Sequence, residues 1–278
     1  MTASRRSFLK GGAGLIGCSL AASPLITPVT LAAAPWDARL VVIVLRGAMD
    51  GLDVVQPYGD PALSQHRKTL SLGPGQGAFD LDGFYALHPA LSGLMPLWQA
   101  GELSFAHAVS TPYRDKRSHF DGQDFLENGG ASADGALTQA ADGWLNRLLT
   151  RVPGAVAETA FAVGRENLLL LKGDAPPSSW SPDSDLELDE QAQALLALIY
   201  ENDPLFAKAA AQAVALSKDR DASRMGRGAR GRAEALARFA AERLRDDSRI
   251  AAFSLAGWDT HRGQTGAIKG ALGQLQAA

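Results

Sequence analysis

The most restrictive feature of the sequence is RLVVIVLR at residues 39–46, which is a continuous run of leucine and β-branched residues. A strand with one solvated face alternates apolar and polar residues, but this run is apolar at every position between its two arginines. The run therefore predicts a central strand of a parallel sheet that helices cover on both faces.

Further strand and helix patterns alternate along the chain. Strands are predicted at 103–109 and 249–256, with shorter candidates at 159–164 and 168–172. Helices are predicted at 90–101, 120–128, 143–152, 187–202, 204–217 and 231–246, and a Pro/Ser loop at 175–185. Because strands alternate with helices, the predicted fold class is α/β. We expect a three-layer sandwich whose mostly parallel central sheet is flanked by helices.

The first 34 residues predict an export signal rather than part of the fold. The segment SRRSFLK, which contains Arg5 and Arg6, is typical of a signal read by the twin-arginine translocase, and an apolar stretch and small residues follow it. Its glycines and prolines argue against a stable transmembrane span. We expect residues 1–34 to be removed, residues 35–278 to form the domain, and the protein to be periplasmic or secreted. The segment LIGC, ending at Cys18, also resembles a lipoprotein cleavage box, so lipid anchoring is the alternative.

Composition and missing motifs exclude several function classes. The formal net charge is −3, which gives no general attraction to nucleic acid. Cys18 is the single cysteine, so a disulfide framework and a cysteine-based zinc site are excluded. The glycines at 226, 228 and 231 follow charged sequence instead of a strand, which argues against a dinucleotide site. The G-x-S-x-G, H-E-x-x-H and Walker motifs are absent.

Chemically active side chains follow three of the predicted strands. Sites in open α/β sheets lie beyond the carboxyl ends of the strands, so we expect these side chains to converge. The candidates are Arg46, Asp50 and Asp53 after the first strand, Arg114, Arg117, Ser118, His119 and Asp121 after the second, and Asp259 and His261 in the segment GWDTH after the third.

These residue types suit a divalent metal and an anionic ester. Carboxylate and imidazole groups bind zinc or manganese, so Asp50, Asp259 and His261 are the primary metal candidates. Asp53, His119 and Asp121 are possible secondary site residues, although His119 could instead be a packed surface histidine. A metal that lowers the pKa of a hydroxyl would let Ser118 attack a phosphorus or sulfur ester.

The arginines and the simpler structural roles complete this set of predictions. Bidentate guanidinium groups of Arg46, Arg114 and Arg117 would hold the oxyanion of a small anionic ester. Structural roles stay open for several candidates: Ser118 is also a favoured N-cap, and the carboxylates beside Gly51 could only cap a turn.

Several blocks of sequence resemble one bacterial exported family in the same order. The blocks are VLRGAMDGLDVVQPYGDP, DGFYALHPAL, GELSFAHAVSTPYRDKRSHFDGQDFLENG, DGWLNR and GWDTH. The family is called domain of unknown function 1501, and the resemblance covers essentially all of residues 36–278. It is usually grouped with the alkaline phosphatase and sulfatase-like superfamily. The resemblance implies that superfamily's sheet between helices, two divalent metals and a nucleophile at a helix start.

The resemblance also suggests roles for individual residues. The carboxylate ligand after the first strand corresponds best to Asp50, with Asp53 as the second choice. The nucleophile falls on Ser118, or else on Ser110 or Thr111. The metal pair resembles Asp259 and His261, although the superfamily commonly spaces that pair more widely. Members usually run longer and carry a second metal cluster after GWDTH, so we expect a C-terminally truncated chain that is inactive alone.

Three functions compete at this stage. The first is an exported metal-dependent hydrolase of phosphate or sulfate esters, with zinc or manganese as its cofactor. The second is a non-catalytic exported binding protein that keeps the fold. The third is a redox enzyme, which only the export route suggests, because the sequence supplies no cysteine, haem or flavin ligands.

Overall fold

The computed structural model describes residues 37–70, 72–111, 113, 118–130, 142–175, 177–181, 199–200, 210, 228–246 and 248–278. The fold discussed below runs from Arg39 to Ala278. The predicted signal segment with Arg5, Arg6 and Cys18 lies outside the described residues, as do Arg114 and Arg117. Nearly all of the predicted helices at 187–202 and 204–217 lies outside them too.

The described residues form seven strands in two sheets. In chain order they are β1 (Leu40–Leu45), β2 (Val55–Gln56), β3 (Phe79–Asp80), β4 (Ala86–Leu87), β5 (Ala160–Val163), β6 (Ser178–Trp180) and β7 (Ile250–Leu255). The larger sheet has the order β1-β7-β5-β6, and all of its strands are parallel. The smaller sheet has the antiparallel order β2-β4-β3. The protein is therefore α/β with a parallel four-stranded sheet, as the sequence predicts.

β7 is one of the two interior strands of the larger sheet. It pairs with β1 along its whole length and with β5 along its first half, and five of its six residues are buried. The prediction that β1 is a central strand is wrong, because in the described sheet β1 has a neighbour on one side only. Its Val41 is accordingly 45% exposed. An all-apolar run thus marks a strand here but not its place in the sheet.

Seven α-helices and four short 3-10 helices are described. The α-helices are α1 (Gly51–Val54), α2 (Pro61–His66), α3 (Met95–Gln99), α4 (His119–Asn128), α5 (Trp144–Leu149), α6 (Ala229–Arg245) and α7 (Gln264–Ala277). The 3-10 helices are Pro74–Gln76, Pro89–Leu94, Ala157–Thr159 and Leu169–Leu171. No helix within the described ranges is both long and apolar enough to cross a membrane.

Two apolar clusters hold the helices against the strands. In the first, Phe239 and Leu244 of α6 pack with Phe161 of β5 and Phe253 of β7. Alanine, leucine, arginine and glutamate favour the helical conformation of α6, and its apolar residues recur on the face that meets the sheet. The second cluster joins α7 and the 3-10 helix Pro89–Leu94 to Trp258, which follows β7. Both clusters contact the segment around β7, which fixes its carboxyl end.

Three local predictions are wrong. Residues 103–109 form no strand, and Ala108 takes φ 55°, which interrupts an extended chain. Residues 169–171 form a 3-10 helix instead of a strand, because the amide of Leu170 donates to the carboxylate of Glu127 (3.1 Å). The predicted loop at 175–185 contains β6, whose residues pair with β5.

Candidate metal centre

The segments that follow β1 and β7 touch at the backbone. The amide of Trp258 donates to the carbonyl of Arg46 (3.2 Å). Gly47 has φ 114°, and a Cβ atom at this position would stand 2.5 Å from the amide nitrogen of Asp259. Only a residue without a side chain allows this approach. Trp258 is 1% exposed and anchors the GWDTH segment in the apolar core, so Asp259 leaves the sheet from a fixed point.

Asp259, His261 and His119 lie together just beyond this contact. The Nε2 atom of His261 is 2.8 Å from Oδ1 of Asp259. The Nε2 atom of His119 is 3.7 Å from Oδ2 of the same carboxylate. His119 is the first residue of α4, so the start of this helix faces the segment after β7. The structure thus brings His119, a secondary site residue in the sequence prediction, to the two metal candidates of GWDTH.

The spacing of these three side chains suits one divalent ion. Their ligand atoms all lie within 4.8 Å of one another. Donor atoms stand roughly 2.0–2.2 Å from a zinc ion, so neighbouring donors around it are about 3–3.5 Å apart. The two distances from Asp259 bracket that value, and the exposed side chain of His261 can rotate toward the ion. Two imidazoles and one carboxylate form a donor set that zinc and manganese accept.

Ser118 is the N-cap of α4. Its Oγ accepts a hydrogen bond from the amide of Asp121 (3.3 Å), and its own amide donates to the hydroxyl of Tyr113 (3.1 Å). That hydroxyl also lies 3.1 Å from the Asp121 carboxylate, to which it donates. The structure therefore places Ser118 as the N-cap next to His119. Asp121 belongs to this capping network and not to the group formed by His119, Asp259 and His261. The alternative nucleophile Thr111 accepts a hydrogen bond from the amide of Tyr113 through its hydroxyl.

Asp50 and Asp53 lie in a separate polar network. Both carboxylate oxygens of Asp50 accept hydrogen bonds from Arg67, one of them at 2.7 Å. Gln264 donates through Nε2 to Asp50 (2.6 Å) and to the buried carboxylate of Asp53 (3.0 Å). Neither aspartate belongs to the group formed by His119, Asp259 and His261.

The environment of Asp50 keeps its carboxyl group ionised. Partial burial raises the pKa of Asp50, but the hydrogen bonds from Arg67 and Gln264 outweigh burial, so the pKa lies below its ordinary value. Gln264 also accepts a hydrogen bond from the hydroxyl of Thr260 in GWDTH (3.3 Å). Through Gln264, the network of Asp50 and Asp53 thus also contacts the GWDTH segment.

Arg46 is engaged in two ion pairs. Its Nη2 atom is 2.8 Å from the buried Glu127 of α4, and its Nε atom is 2.7 Å from Glu166, which follows β5. The guanidinium therefore ties three segments together at the carboxyl edge of the sheet. In this arrangement the guanidinium group of Arg46 binds carboxylates of the chain and is not available for bidentate binding of an oxyanion.

The partners of the predicted residues were not apparent in the sequence. Arg67 and Gln264 hold Asp50, and Glu127 holds Arg46, and all three lie far along the chain from the residues they bind. The signal for Gln264 was its place at the start of the helix after GWDTH. No local pattern marks Arg67 or Glu127.

The other histidines have structural positions. His88 is 1% exposed, and its Nδ1 atom accepts a hydrogen bond from the amide of Ala90 (3.1 Å) at the start of a 3-10 helix. Burial lowers the pKa of His88, which the nearby Asp53 counteracts in part and Lys269 reinforces. His107 bonds through Nε2 to the carbonyl of Val55 (2.9 Å).

Comparisons of the chain with protein-family models, with curated proteins and with solved structures found no match. The arrangement of His119, Asp259 and His261 is therefore the main structural guide to function.

Proposed function

We propose that the protein is an exported, divalent-metal-dependent hydrolase of phosphate or sulfate esters, of the alkaline phosphatase-like kind that its sequence resembles. The observation that carries the proposal is the group formed by His119, Asp259 and His261, whose ligand atoms lie within 4.8 Å of one another. This group lies where a parallel sheet is expected to hold its site. The resemblance to the family of domain of unknown function 1501 supports the same chemistry.

The roles of the side chains follow from their positions. His119, Asp259 and His261 would hold zinc or manganese, and such an ion polarises an ester oxygen and lowers the pKa of a hydroxyl. Ser118 lies beside His119 at the start of α4, where backbone amides favour a bound anion. Ser118 is thus the hydroxyl best placed to act as the nucleophile on a small anionic ester.

Metal binding is the first test, because it depends only on residues that the chain carries. We expect roughly one equivalent of zinc or manganese in the exported protein, purified without chelator and measured by plasma mass spectrometry. The double variant Asp259→Ala/His261→Ala should lose it. His66→Ala, which changes an exposed histidine of α2, is the matched control and should keep it. Equal metal content in the wild type and the double variant would refute the site.

Turnover is the second test. The exported protein should hydrolyse 4-nitrophenyl phosphate or 4-nitrophenyl sulfate in a metal-dependent way. Ser118→Ala should keep the metal and lose the hydrolysis, because the ligands stay in place. Activity that survives Ser118→Ala would remove Ser118 as the nucleophile.

A non-catalytic binding protein with the same fold is the second candidate. It is favoured by the engagement of Asp50 with Arg67 and of Arg46 with Glu127 and Glu166, which leaves neither side chain free for substrate. Binding of phosphate or sulfate without turnover, in a protein that holds no metal, would select this candidate.

Export by the twin-arginine translocase is proposed from the N-terminal sequence. Replacing Arg5 and Arg6 by lysine should leave the protein in the cytoplasm, whereas the wild type should reach the periplasm or the medium. If Cys18 carries a lipid, the wild type should fractionate with membranes and Cys18→Ala should not. Unchanged fractionation in the arginine variant would refute this route.

A further inference from the structure

A groove that does not include His119, Asp259 or His261 opens above the carboxyl ends of β5 and β7. Its cavity volume is about 430 Å³, and α6 forms one of its walls. Gly164 directly follows β5 with φ 112°, and Gly257 follows the end of β7 with φ 96°. Because neither residue has a side chain, the space above these two strand ends stays open. A volume of this size lies within the range of small-molecule sites.

The walls of the groove are largely apolar. Val163 and Leu255, at the ends of β5 and β7, form its floor, and Leu236 of α6 forms its side. A Cβ atom at Gly164 would stand 3.5 Å from the side chain of Leu236, so α6 lies close to the end of β5. An aliphatic or aromatic group would bury mainly the partly exposed side chain of Leu236, at a gain of roughly 25 cal/mol per Å² of apolar surface, because Val163 and Leu255 are already only 3% exposed.

The rim of the groove carries positive charge. Arg165 and Arg232 both line it. Arg232 forms no ion pair with any described residue, and it lies in the first turn of the 17-residue helix α6, whose dipole adds to the positive potential. The one acidic residue of the lining, Glu166, forms an ion pair with Arg46, which also pairs with Glu127, and accepts a hydrogen bond from Ser254. Two arginines and one glutamate line the groove, so the formal charge of its lining is positive.

We propose that this groove binds a small amphipathic anion, with its carboxylate, sulfonate or phosphate head at Arg232 and its apolar body against Leu236, Val163 and Leu255. The inference does not depend on the proposed hydrolase function. None of Ser118, His119, Asp259 and His261 is among the residues that line the groove. The ligand class follows from one apolar cleft whose described lining carries two arginines and a single carboxylate.

Calorimetric titration of the protein with decanoate, decanol and decyltrimethylammonium tests the ligand class. Decanoate should bind measurably at submicellar concentration, decanol more weakly, and the cationic analogue least, because only the anion pairs with Arg232. Arg232→Ala should weaken decanoate binding roughly tenfold, which corresponds to the loss of one favourable charge contact. Arg232→Lys should restore most of it, whereas decanol should bind both variants alike.

Two further variants locate the binding. Arg230→Ala is the matched control, since this exposed arginine lies in the same turn of α6 but does not line the groove. It should leave the affinity unchanged within about twofold. Ala229→Trp places a ring at the rim and should abolish the binding of both decanoate and decanol. Ala229 is the first residue of α6, so the fold tolerates the change.

The outcomes separate this inference from the proposed hydrolase function. Asp259→Ala should bind decanoate like the wild type, so a protein that fails the metal test can still pass this one. The inference is overturned if decanoate does not bind the wild type. It is also overturned if Arg232→Ala and Arg230→Ala weaken binding equally, or if decanoate, decanol and the cation bind with the same affinity.

Discussion

Replacing Gly47 by alanine should both destabilise the fold and disturb the group formed by His119, Asp259 and His261. Gly47 has φ 114°, which side-chain-bearing residues rarely adopt, and forcing alanine into such a conformation costs about 1–3 kcal/mol. The new Cβ would also stand 2.5 Å from the amide nitrogen of Asp259 and 2.9 Å from the carbonyl carbon of Trp258. Relief of that overlap costs a further 1–3 kcal/mol, roughly as in overpacked cores. We therefore expect a total loss of about 2–6 kcal/mol.

Gly77→Ala is the matched control for this prediction. Gly77 has φ 98°, but a Cβ atom there meets nothing within 4 Å, so this variant carries the backbone strain without the overlap. Urea unfolding of both variants, compared at equal m-values, gives the difference in the free energy of unfolding. Gly47→Ala should be the less stable variant by about 1–3 kcal/mol.

The same pair of variants tests the link between the two strand ends. Trp258 is fixed in the core, so we expect the overlap to be relieved by movement of Asp259. Zinc affinity should then fall in Gly47→Ala and stay unchanged in Gly77→Ala. The reasoning is refuted if the two variants unfold at the same urea concentration, because the backbone contact between Gly47 and Asp259 would then carry no cost.

Three further predictions concern buried or paired side chains. Arg67→Ala should lower the free energy of unfolding by about 1–2 kcal/mol at neutral pH. The loss should shrink as the pH falls below 3.8, the ordinary pKa of Asp50, because the lowered pKa of Asp50 stabilises the fold only while the carboxylate is ionised. Urea unfolding at several pH values measures this dependence. Trp258→Ala should lower the free energy of unfolding, measured in thermal or urea unfolding, by about 3–5 kcal/mol. Trp258→Phe should lower it much less, because phenylalanine keeps a ring and removes an Nε1–H that finds no partner among the described residues. The lowered pKa of His88 means that the unfolded chain takes up its proton first, so wild-type stability should decline as the pH falls below about 6.5. His88→Asn keeps a side chain that can accept the amide of Ala90, and its stability should be flatter between pH 6.5 and 5; an equal slope in both proteins would remove His88 as the cause.

The sequence predicts local elements well where the chain determines them locally. The apolar run of β7, the strong helix formers of α6 and the serine cap of α4 are all local signals, and each element lies close to its predicted bounds. The α/β class followed from their alternation. The strand that the sequence placed at 103–109 failed because a strand needs a ladder partner, and the residues alone do not show whether a partner is available.

Long-range partners decided the rest. The run of four leucines at 168–171 predicts a strand, but two of its backbone groups pair with side chains: Glu127 accepts from the amide of Leu170 and Asn146 donates to the carbonyl of Leu171 (2.7 Å), while the amide of Leu171 donates to the carbonyl of Leu168. Asp50 was predicted from its position after β1, yet Arg67 takes both of its oxygens. Such pairings depend on the tertiary structure, and a single sequence does not contain the contact that satisfies them.

The interior position of β7 accounts for both candidate sites. β7 pairs with β1 along its whole length and with β5 along its first half, and five of its six residues are buried, so the residues after it leave the sheet from a fixed position. The residues of GWDTH have separate roles there, since Gly257 keeps the groove open, Trp258 anchors the chain in the core, and Asp259 and His261 then meet His119 outside the sheet. In the described sheet β1, with its exposed Val41, has a neighbouring strand on one side only. The residues after β1 are accordingly held by ion pairs, with Arg46 and Asp50 both engaged, while the residues after β7 leave a carboxylate and an imidazole at the surface for a ligand.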